Sequence, residues 1–596
     1  MNEISVPATV QIGPAENLTD AVWTNAAEEP DHVVFSRRVQ GAWVDVTAAG
    51  FRDEVSAIAK GLIASGVQPG DRVGLMAKTS YEWTLVDYGI LAAGAVTVPI
   101  YETSSAEQVA WNLGDSGAVA VVVETAEHEA VVTTIRGEVP ELKSMWQIDA
   151  DGLGTLRGLG RDIADEQVDE RRGMADPDTL ATVIYTSGTT GHPKGCELTH
   201  RNMLFVERTA VDGLSSLFNP EGATLLFLPL AHVFARLIQV GVVETRTRMG
   251  HTADVKNLVA DLGEFQPSFI LAVPRVFEKV YNVSKQRAHS EGKGKIFDKA
   301  AAVAVAFSEA NDGGGPGLGL KIQHTLFDAL VYSKLRAALG GKCTAAISGG
   351  APLGARLGHF YRGIGLTVFE GYGLTETTAG ACLNLEGAAK IGTVGRPLPG
   401  VSIRIADDGE VLLKGDNIFR GYWHNEEATA EALTAEGWFH SGDIGEIDDE
   451  GFLKITGRKK ELIVTAGGKN VSPAVLEDRL RAHPLVSQCM VVGDAQPFIG
   501  CLVTIDPEAF PAWKQRAGKP EEASVGDLRD DPDLIAEIQG GVDEANKAVS
   551  KAEAIKKFRI LDDDFTIEGG QLTPKMSIKR AVVLKEQADE IAAIYG

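Results

Sequence analysis

The chain has 596 residues, 44% hydrophobic and 23% charged; these are globular proportions that exclude large-scale disorder and leave length for several domains, each with its own core. Lys+Arg 57 against Asp+Glu 82 gives a net charge of -25, which excludes the basic footprint of a nucleic-acid binder or a polybasic membrane anchor, so an anionic ligand must be held by local donors. Five cysteines with no C-x-x-C pair make no disulfide scaffold, and MNEISVPATV has neither the basic start nor the apolar core of a secretory signal, so a reducing, cytoplasmic setting is expected, with peripheral membrane contact left open.

Early in the chain, Phe51, Val55, Ile58, Ala59, Leu62 and Ile63 recur at helical spacing, Gly66 offers a C-cap, and RVGLMAK (72–78) follows as a buried strand. A second round runs from Ser80, a cap for a helix through Leu91, to the strand AVTVPIY (95–101). A third runs from Ser105 through Leu113 to VAVVVE (119–124). Strands separated by helices predict parallel βαβ units in an α/β domain. Runs such as ILAAGAVTVPI (90–100) fall short of the ~18 apolar residues that span a bilayer.

ATVIYTSG feeds an apolar run into small and hydroxylic residues, so the loop in YTSGTTGHPKG (185–195) leaves the C-terminal end of a strand. Gly188, Gly191 and Gly195 allow close backbone approach, so successive N–H groups can converge on phosphate oxygens. Thr186, Ser187, Thr189 and Thr190 add hydroxyl groups, and Lys194 adds a mobile charge. Pro193 before the lysine excludes a Walker A loop, which needs glycine there. In LPLAHVF (228–234), His232 reads either as a packed core histidine or as a polar group at a pocket edge.

The stretch from Glu278 to Leu320 is charged, alanine-rich and helical in pattern, and closes on NDGGGPGLGL (311–320); it reads as an insertion within the domain. VSIRIADDGEVLLKG, from Val401, alternates about an Asp-Asp-Gly turn, a hairpin signal. After GRKKELI (457–463) the pattern changes again and ends in the lysine-rich QLTPKMSIKR (571–580). A boundary near Arg458–Lys460 divides the chain into an N-terminal unit, 1–457, and a C-terminal unit, 458–596.

Taken in order, YTSGTTGHPKG, LPLAHVF, SGGAPL (348–353), GYGLTET (371–377), HSGDIG (440–445) and GRKKELI resemble the motif series of the acyl-adenylate-forming superfamily, which includes acyl-CoA synthetases, firefly luciferase and peptide-synthetase adenylation domains. VPRVFEKVY (273–281) and the insertion after it resemble the long-chain fatty acyl-CoA synthetase branch. The resemblance implies a large N-terminal domain of α/β subdomains with a smaller β-rich part, and a small mobile α+β C-terminal lid. It implies that ATP activates a long-chain fatty acid to acyl-AMP and pyrophosphate, after which CoA takes the acyl group.

By the same resemblance, Thr186 and Glu376 would coordinate Mg²⁺, the loop from Thr186 to Gly191 with Lys194 would hold phosphate, and Thr375 would reach the α-phosphate. Tyr372 would lie against adenine over a floor of Gly349, Gly350 and Ala351. Asp443 would take the ribose hydroxyls, with Arg458 on the far side. His232 would border the acyl pocket, Lys460 would be the hinge, and Gly467, Gly468 and Lys469 would line the pantetheine channel. The pattern breaks once: LTPKMSIKR puts Ser577 where the family has an active-site lysine. Lys575 stands two residues before it, on the same side of an extended segment, and is the replacement candidate. An acyl-AMP ligase loading a carrier protein and a non-catalytic nucleotide or acyl binder are the alternatives.

Overall fold

The computed structural model describes residues 1–186, 192–254, 257–467, 469–573 and 576–596. The three expected rounds of helix and strand are present. The spacing from Phe51 falls in the helix Ala48–Ala64, followed by the strand Arg72–Met76. Ser80 caps Tyr81–Ala92, its hydroxyl accepting the Trp83 N–H at 3.1 Å, and Ser105 forms a reciprocal capping box with Gln108 on Ala106–Ser116. The strands Arg72–Met76, Val96–Ile100 and Ala120–Val123 pair in parallel, as helical crossovers require.

Leu180–Thr186 joins this sheet in parallel and then departs from the pattern, pairing antiparallel with Lys194–Thr199 so that Thr186 faces Lys194. The strands on either side of the glycine- and hydroxyl-rich loop are therefore antiparallel partners, with Gly421–Tyr422 paired to Lys194–Thr199 at the sheet edge. A second, larger sheet has a parallel centre that includes Phe269–Ala272, Ala345–Ser348 and Thr367–Tyr372.

Helices between the two sheets build the main core. Tyr81–Ala92 buries eleven of its twelve residues, as a helix apolar on all sides must. Its one buried charge, Asp87, accepts from Arg236 at 2.9 and 2.6 Å, from Thr97 at 2.7 Å and from Gln239 at 2.9 Å. These bonds fasten the helix Val233–Thr245, which carries both Arg236 and Gln239.

The charged insertion forms the helices Pro274–Ser290 and Gly294–Asn311, and the glycine-rich loop leads into Leu318–Phe327. Phe297, Ala300 and Ala304 share a core with Phe360, Tyr361 and Ile364. Gly363 lies so close to Ala304 that a Cβ there would meet its carbonyl oxygen at 2.1 Å. The insertion is thus part of the N-terminal domain. One face of its last helical stretch stays bare, with Leu318 80%, Ile322 69%, Leu326 57% and Leu330 49% exposed.

The predicted hairpin pairs Ser402–Ile405 with Glu410–Lys414 inside an antiparallel sheet that also holds Phe439–Ile447 and Leu453–Arg458, which is the smaller β-rich part. Beyond it, Ile463 onward builds separate cores on either side of a mixed sheet of Val486–Val492, Ile499–Ile505 and Ile555–Ile560. The chain is an α/β protein with a large N-terminal domain and a smaller C-terminal one.

Candidate active site

A cavity of about 3220 Å³ lies where the C-terminal ends of central strands from both large sheets face the C-terminal domain, the place where open α/β sheets present ligand sites. On one wall the Tyr422 hydroxyl donates to Glu376 Oε1 at 2.9 Å, and Lys194 Nζ lies 4.8 Å from the Tyr422 ring centre. Burial pushes the Tyr422 phenol far up, with Glu376 adding to it, so Tyr422 stays a donor. The Thr186 hydroxyl donates to the Lys194 carbonyl at 3.4 Å. Trp111 braces the hairpin, its Nε1 donating to the Pro193 carbonyl at 2.8 Å and its ring stacked 4.1 Å from His192. Ser187, Gly188, Thr189, Thr190 and Gly191 lie outside the described residues.

A second cluster joins Tyr372, Asp443 and Arg458. The Tyr372 hydroxyl donates to Asp443 Oδ2 at 2.6 Å, while Arg458 Nε stands 3.0 Å from Oδ1. Asp443 and Arg458 are direct partners on adjacent strands, which is why two motifs distant in sequence meet. Burial pushes the Asp443 carboxyl up, and Arg458 and Tyr372 pull it back. Gly349 is the tight point beside them: a Cβ there would stand 3.2 Å from the Phe234 ring and 3.6 Å from the Gly371 carbonyl. Gly350, at φ +82, and Ala351 continue this wall, and Thr375 is buried next to Glu376.

His232 combines its two readings. It caps Val233–Thr245, its Nδ1 accepting the Phe234 N–H at 3.2 Å, and it also lines the cavity. Past it the walls turn apolar between the helices His200–Asp212 and Val233–Thr245, with Val206, Ala210, Leu214, Leu237 and Ile238.

Lys460 sits exposed in a short 3-10 turn, Lys459–Glu461, directly after Arg458, and its neighbour Lys459 is held by Glu410 at 3.0 Å. Thr573, Met576, Ser577 and Lys579 line the cavity. Leu572 bridges Ile578, and the Thr573 N–H donates to the Ser577 carbonyl at 2.9 Å, so the two flanks pair with each other and do not continue as one extended run. Lys575 itself lies outside the described residues. Gly467 and Lys469 belong to the hairpin tip between Ile463–Val464 and Asn470–Val471 and do not line the cavity; Gly468 is outside the described residues.

The sequence reading missed Tyr422 and Glu370. Glu370 is 8% exposed and accepts the Leu353 N–H at 3.0 Å, and burial pushes its pKa up to about 7. Neither has a local signal, because each acquires its place through strand pairing. No cluster of three or more His, Cys, Asp or Glu is arranged around a metal among the described residues. What faces the cavity near the hairpin is the Thr186 hydroxyl and the Glu376 carboxylate, an all-oxygen set that fits an ion held by one or two protein groups plus phosphate and water.

Residues 22–423 match the family model for AMP-binding enzymes, and residues 460–596 match that for the AMP-binding enzyme C-terminal domain. The chain is 55% identical over 599 residues to the long-chain-fatty-acid–CoA ligase FadD15 of Mycobacterium bovis, covering 100% of both. It is 32% identical over 605 residues to the long-chain-fatty-acid–CoA ligase ACSBG2 of Xenopus laevis, covering 95% of this chain and 82% of that one. The fold also matches the adenylation domain of the carboxylate reductase from Mycobacterium chelonae, with a TM-score of 0.75 at 21% identity over 98% of this chain and 92% of that one. The chain belongs to the AMP-binding enzyme family.

Proposed function

We propose that the protein is a cytoplasmic long-chain fatty acid–CoA ligase, which forms acyl-AMP from ATP and then acyl-CoA. One observation carries the reading: a single cavity joins Thr186 and Lys194 at the base of the hydroxyl-rich loop, the Tyr372–Asp443–Arg458 cluster and an apolar channel, the three environments that phosphate, nucleoside and acyl chain require. The name of the full-length relative at 55% identity agrees with it.

In the first step a fatty carboxylate oxygen attacks the α-phosphorus of ATP, an acyl–O–P bond forms, and the bond to the pyrophosphate oxygen breaks. Lys194 and the donors of the loop from Thr186 to Gly191 neutralise phosphate charge at fixed positions. Thr186 and Glu376 would hold Mg²⁺, which when bound adds charge neutralisation at the phosphoryl oxygens. Tyr372 lies against adenine over Gly349, Gly350 and Ala351, Thr375 reaches the α-phosphate, and Asp443 and Arg458 take the ribose. His232 orients the carboxylate where the channel opens, and Lys575 supplies the second cation.

In the second step the CoA sulfur, having lost its proton, attacks the acyl carbonyl carbon, and AMP leaves with the bridging oxygen. The C-terminal domain, from Arg458 on, turns about Lys460 to bring Gly467, Gly468 and Lys469 to the cavity. The arrangement described here supports such a turn, since Ser577 already faces the cavity while Gly467 and Lys469 do not.

Mass spectrometry of products from purified protein with Mg²⁺, ATP and fatty acids of graded length, with and without CoA, tests the reading. The expected product is acyl-CoA that requires CoA and favours long chains. Acyl-AMP that accumulates regardless of CoA would replace this reading with carrier-protein loading, and no adenylate at all would leave a binder.

A further inference from the structure

The helix Ala106–Ser116 grips both strands that run into and out of the glycine- and hydroxyl-rich loop. Its residues Trp111 and Asp115, four apart and so on one face, take one strand each. Asp115 Oδ2 accepts the Tyr185 hydroxyl at 2.6 Å, one residue before Thr186. Trp111 Nε1 donates to the Pro193 carbonyl at 2.8 Å, one residue before Lys194. Trp423, next to Tyr422, closes the group: its backbone N–H donates to the Gly195 carbonyl at 2.7 Å and its Nε1 to the Asp115 carbonyl at 3.0 Å.

These bonds already hold the outgoing strand, and Trp111 makes one contact more. Its ring lies face to face with His192, centroids 4.1 Å apart and planes 13° from parallel. An imidazole stacked by its face keeps both nitrogens at its edge, and His192 is an exposed residue on the cavity wall. The stack therefore sets the plane in which a ring N–H meets the cavity without covering it. Contacts run toward this point from the nucleoside cluster: Tyr372 and Glu376 share one motif, Tyr422 joins Glu376 to Lys194, and His192 stands two residues from Lys194, against Trp111. ATP laid along that line with its base at Tyr372 brings its terminal phosphates to His192.

We propose that His192 is a catalytic residue that donates a ring N–H to the pyrophosphate leaving ATP, and that Trp111 positions it. The inference rests on reading the cavity as an adenylation site and assigns the end of that site which receives the leaving group. When the bond from the α-phosphorus to the pyrophosphate oxygen breaks, its electron pair goes to that oxygen. A donor oriented beforehand stabilises the growing charge with no reorganisation during the step. The hydrogen stays on the imidazole, so no proton is transferred, and the stacked ring has little rotational freedom left to lose on binding.

The experiment uses the full-length enzyme with hexadecanoate, ATP and CoA, and compares inhibition constants for pyrophosphate and for AMP in wild type, His192→Phe, His192→Gln and Trp111→Leu. His192→Phe keeps an aromatic ring for the stack and removes the donor; it should raise the pyrophosphate constant about tenfold and leave the AMP constant in place, because AMP does not reach His192. His192→Gln restores a planar N–H donor and should stay within about threefold of wild type. Trp111→Leu should weaken pyrophosphate and add nothing further in the double variant with His192→Phe. A pyrophosphate constant unchanged in His192→Phe, a loss in His192→Gln equal to that in His192→Phe, or equal shifts in the pyrophosphate and AMP constants overturns the inference and leaves the ligase reading standing. No acyl-CoA from wild type overturns both. If Trp111→Leu does not fold, the two His192 variants decide by the same outcomes.

Discussion

Glu370 has a measurable consequence for stability. Its carboxyl ionises near 4.5 in an unfolded chain and near 7 in its buried place, so between those values the folded protein holds a proton that the unfolded chain has lost. The stabilisation is complete below 4.5 and disappears as pH rises through about 7. Urea unfolding of wild type and Glu370→Gln across that range checks it: relative to the variant, wild type should lose about 3 kcal/mol. At this scale the sequence was informative only where chemistry is written contiguously. Lys194, Glu376, Tyr372, Asp443 and Arg458 sit in short motifs whose residue types announce themselves, and all reach one cavity. Tyr422 and Glu370 do not stand out in sequence, because Tyr422 becomes a partner of Glu376 only through pairing with Cys196 and Glu370 takes its place only within the parallel sheet.

Among elements, Val233–Thr245 is the piece that holds His232 at the cavity and walls the channel, and the Asp87–Arg236 pair anchors it with both side chains almost wholly buried. Removing one partner of such a pair strands the other charge. Asp87→Ala should therefore cost about 3–5 kcal/mol by denaturant unfolding, whereas replacing both residues by packed apolar ones should cost far less. The alternating helices and strands were legible because short continuous apolar runs are separated by helical segments whose starts are marked by the capping residues Ser80 and Ser105. The strand Lys194–Thr199 was not anticipated, since it is a short run returning antiparallel from a loop whose composition drew attention to phosphate. The pairing of Leu572 with Ile578 was missed for a similar reason: LTPKMSI reads as extended, and only the Leu572–Ile578 bridge and the Thr573–Ser577 hydrogen bond show its two ends side by side.

For the molecule as a whole, the proposed turn of the C-terminal domain divides the two half-reactions between two arrangements, and on that proposal Lys575→Ala should separate them. Adenylate formation should fall by two or more orders of magnitude, while thioester formation from supplied acyl-AMP survives; equal loss in both assays would remove Lys575 from the first step. The net charge of -25 hides a local reversal, because residues 279–342 carry ten Lys and Arg against five Asp and Glu. With the bare face of Leu318, Ile322, Leu326 and Leu330, that segment suits an anionic lipid surface. Sedimentation with anionic vesicles should be lost in a triple Leu318→Ser, Ile322→Ser, Leu326→Ser variant and be weak with zwitterionic vesicles; equal binding by wild type and variant would discard this surface. The Tyr372–Asp443–Arg458 cluster bears on how long product stays. Each Asp443 oxygen already has an internal partner, so the ribose proposed to bind there would share the carboxylate with Tyr372 and Arg458 and compete with them for its lone pairs. On that proposal, Tyr372→Phe, which keeps the ring and removes the competing hydroxyl, should lower the inhibition constant for AMP several-fold in steady-state assays, and an unchanged constant would mean that the hydroxyl does not compete.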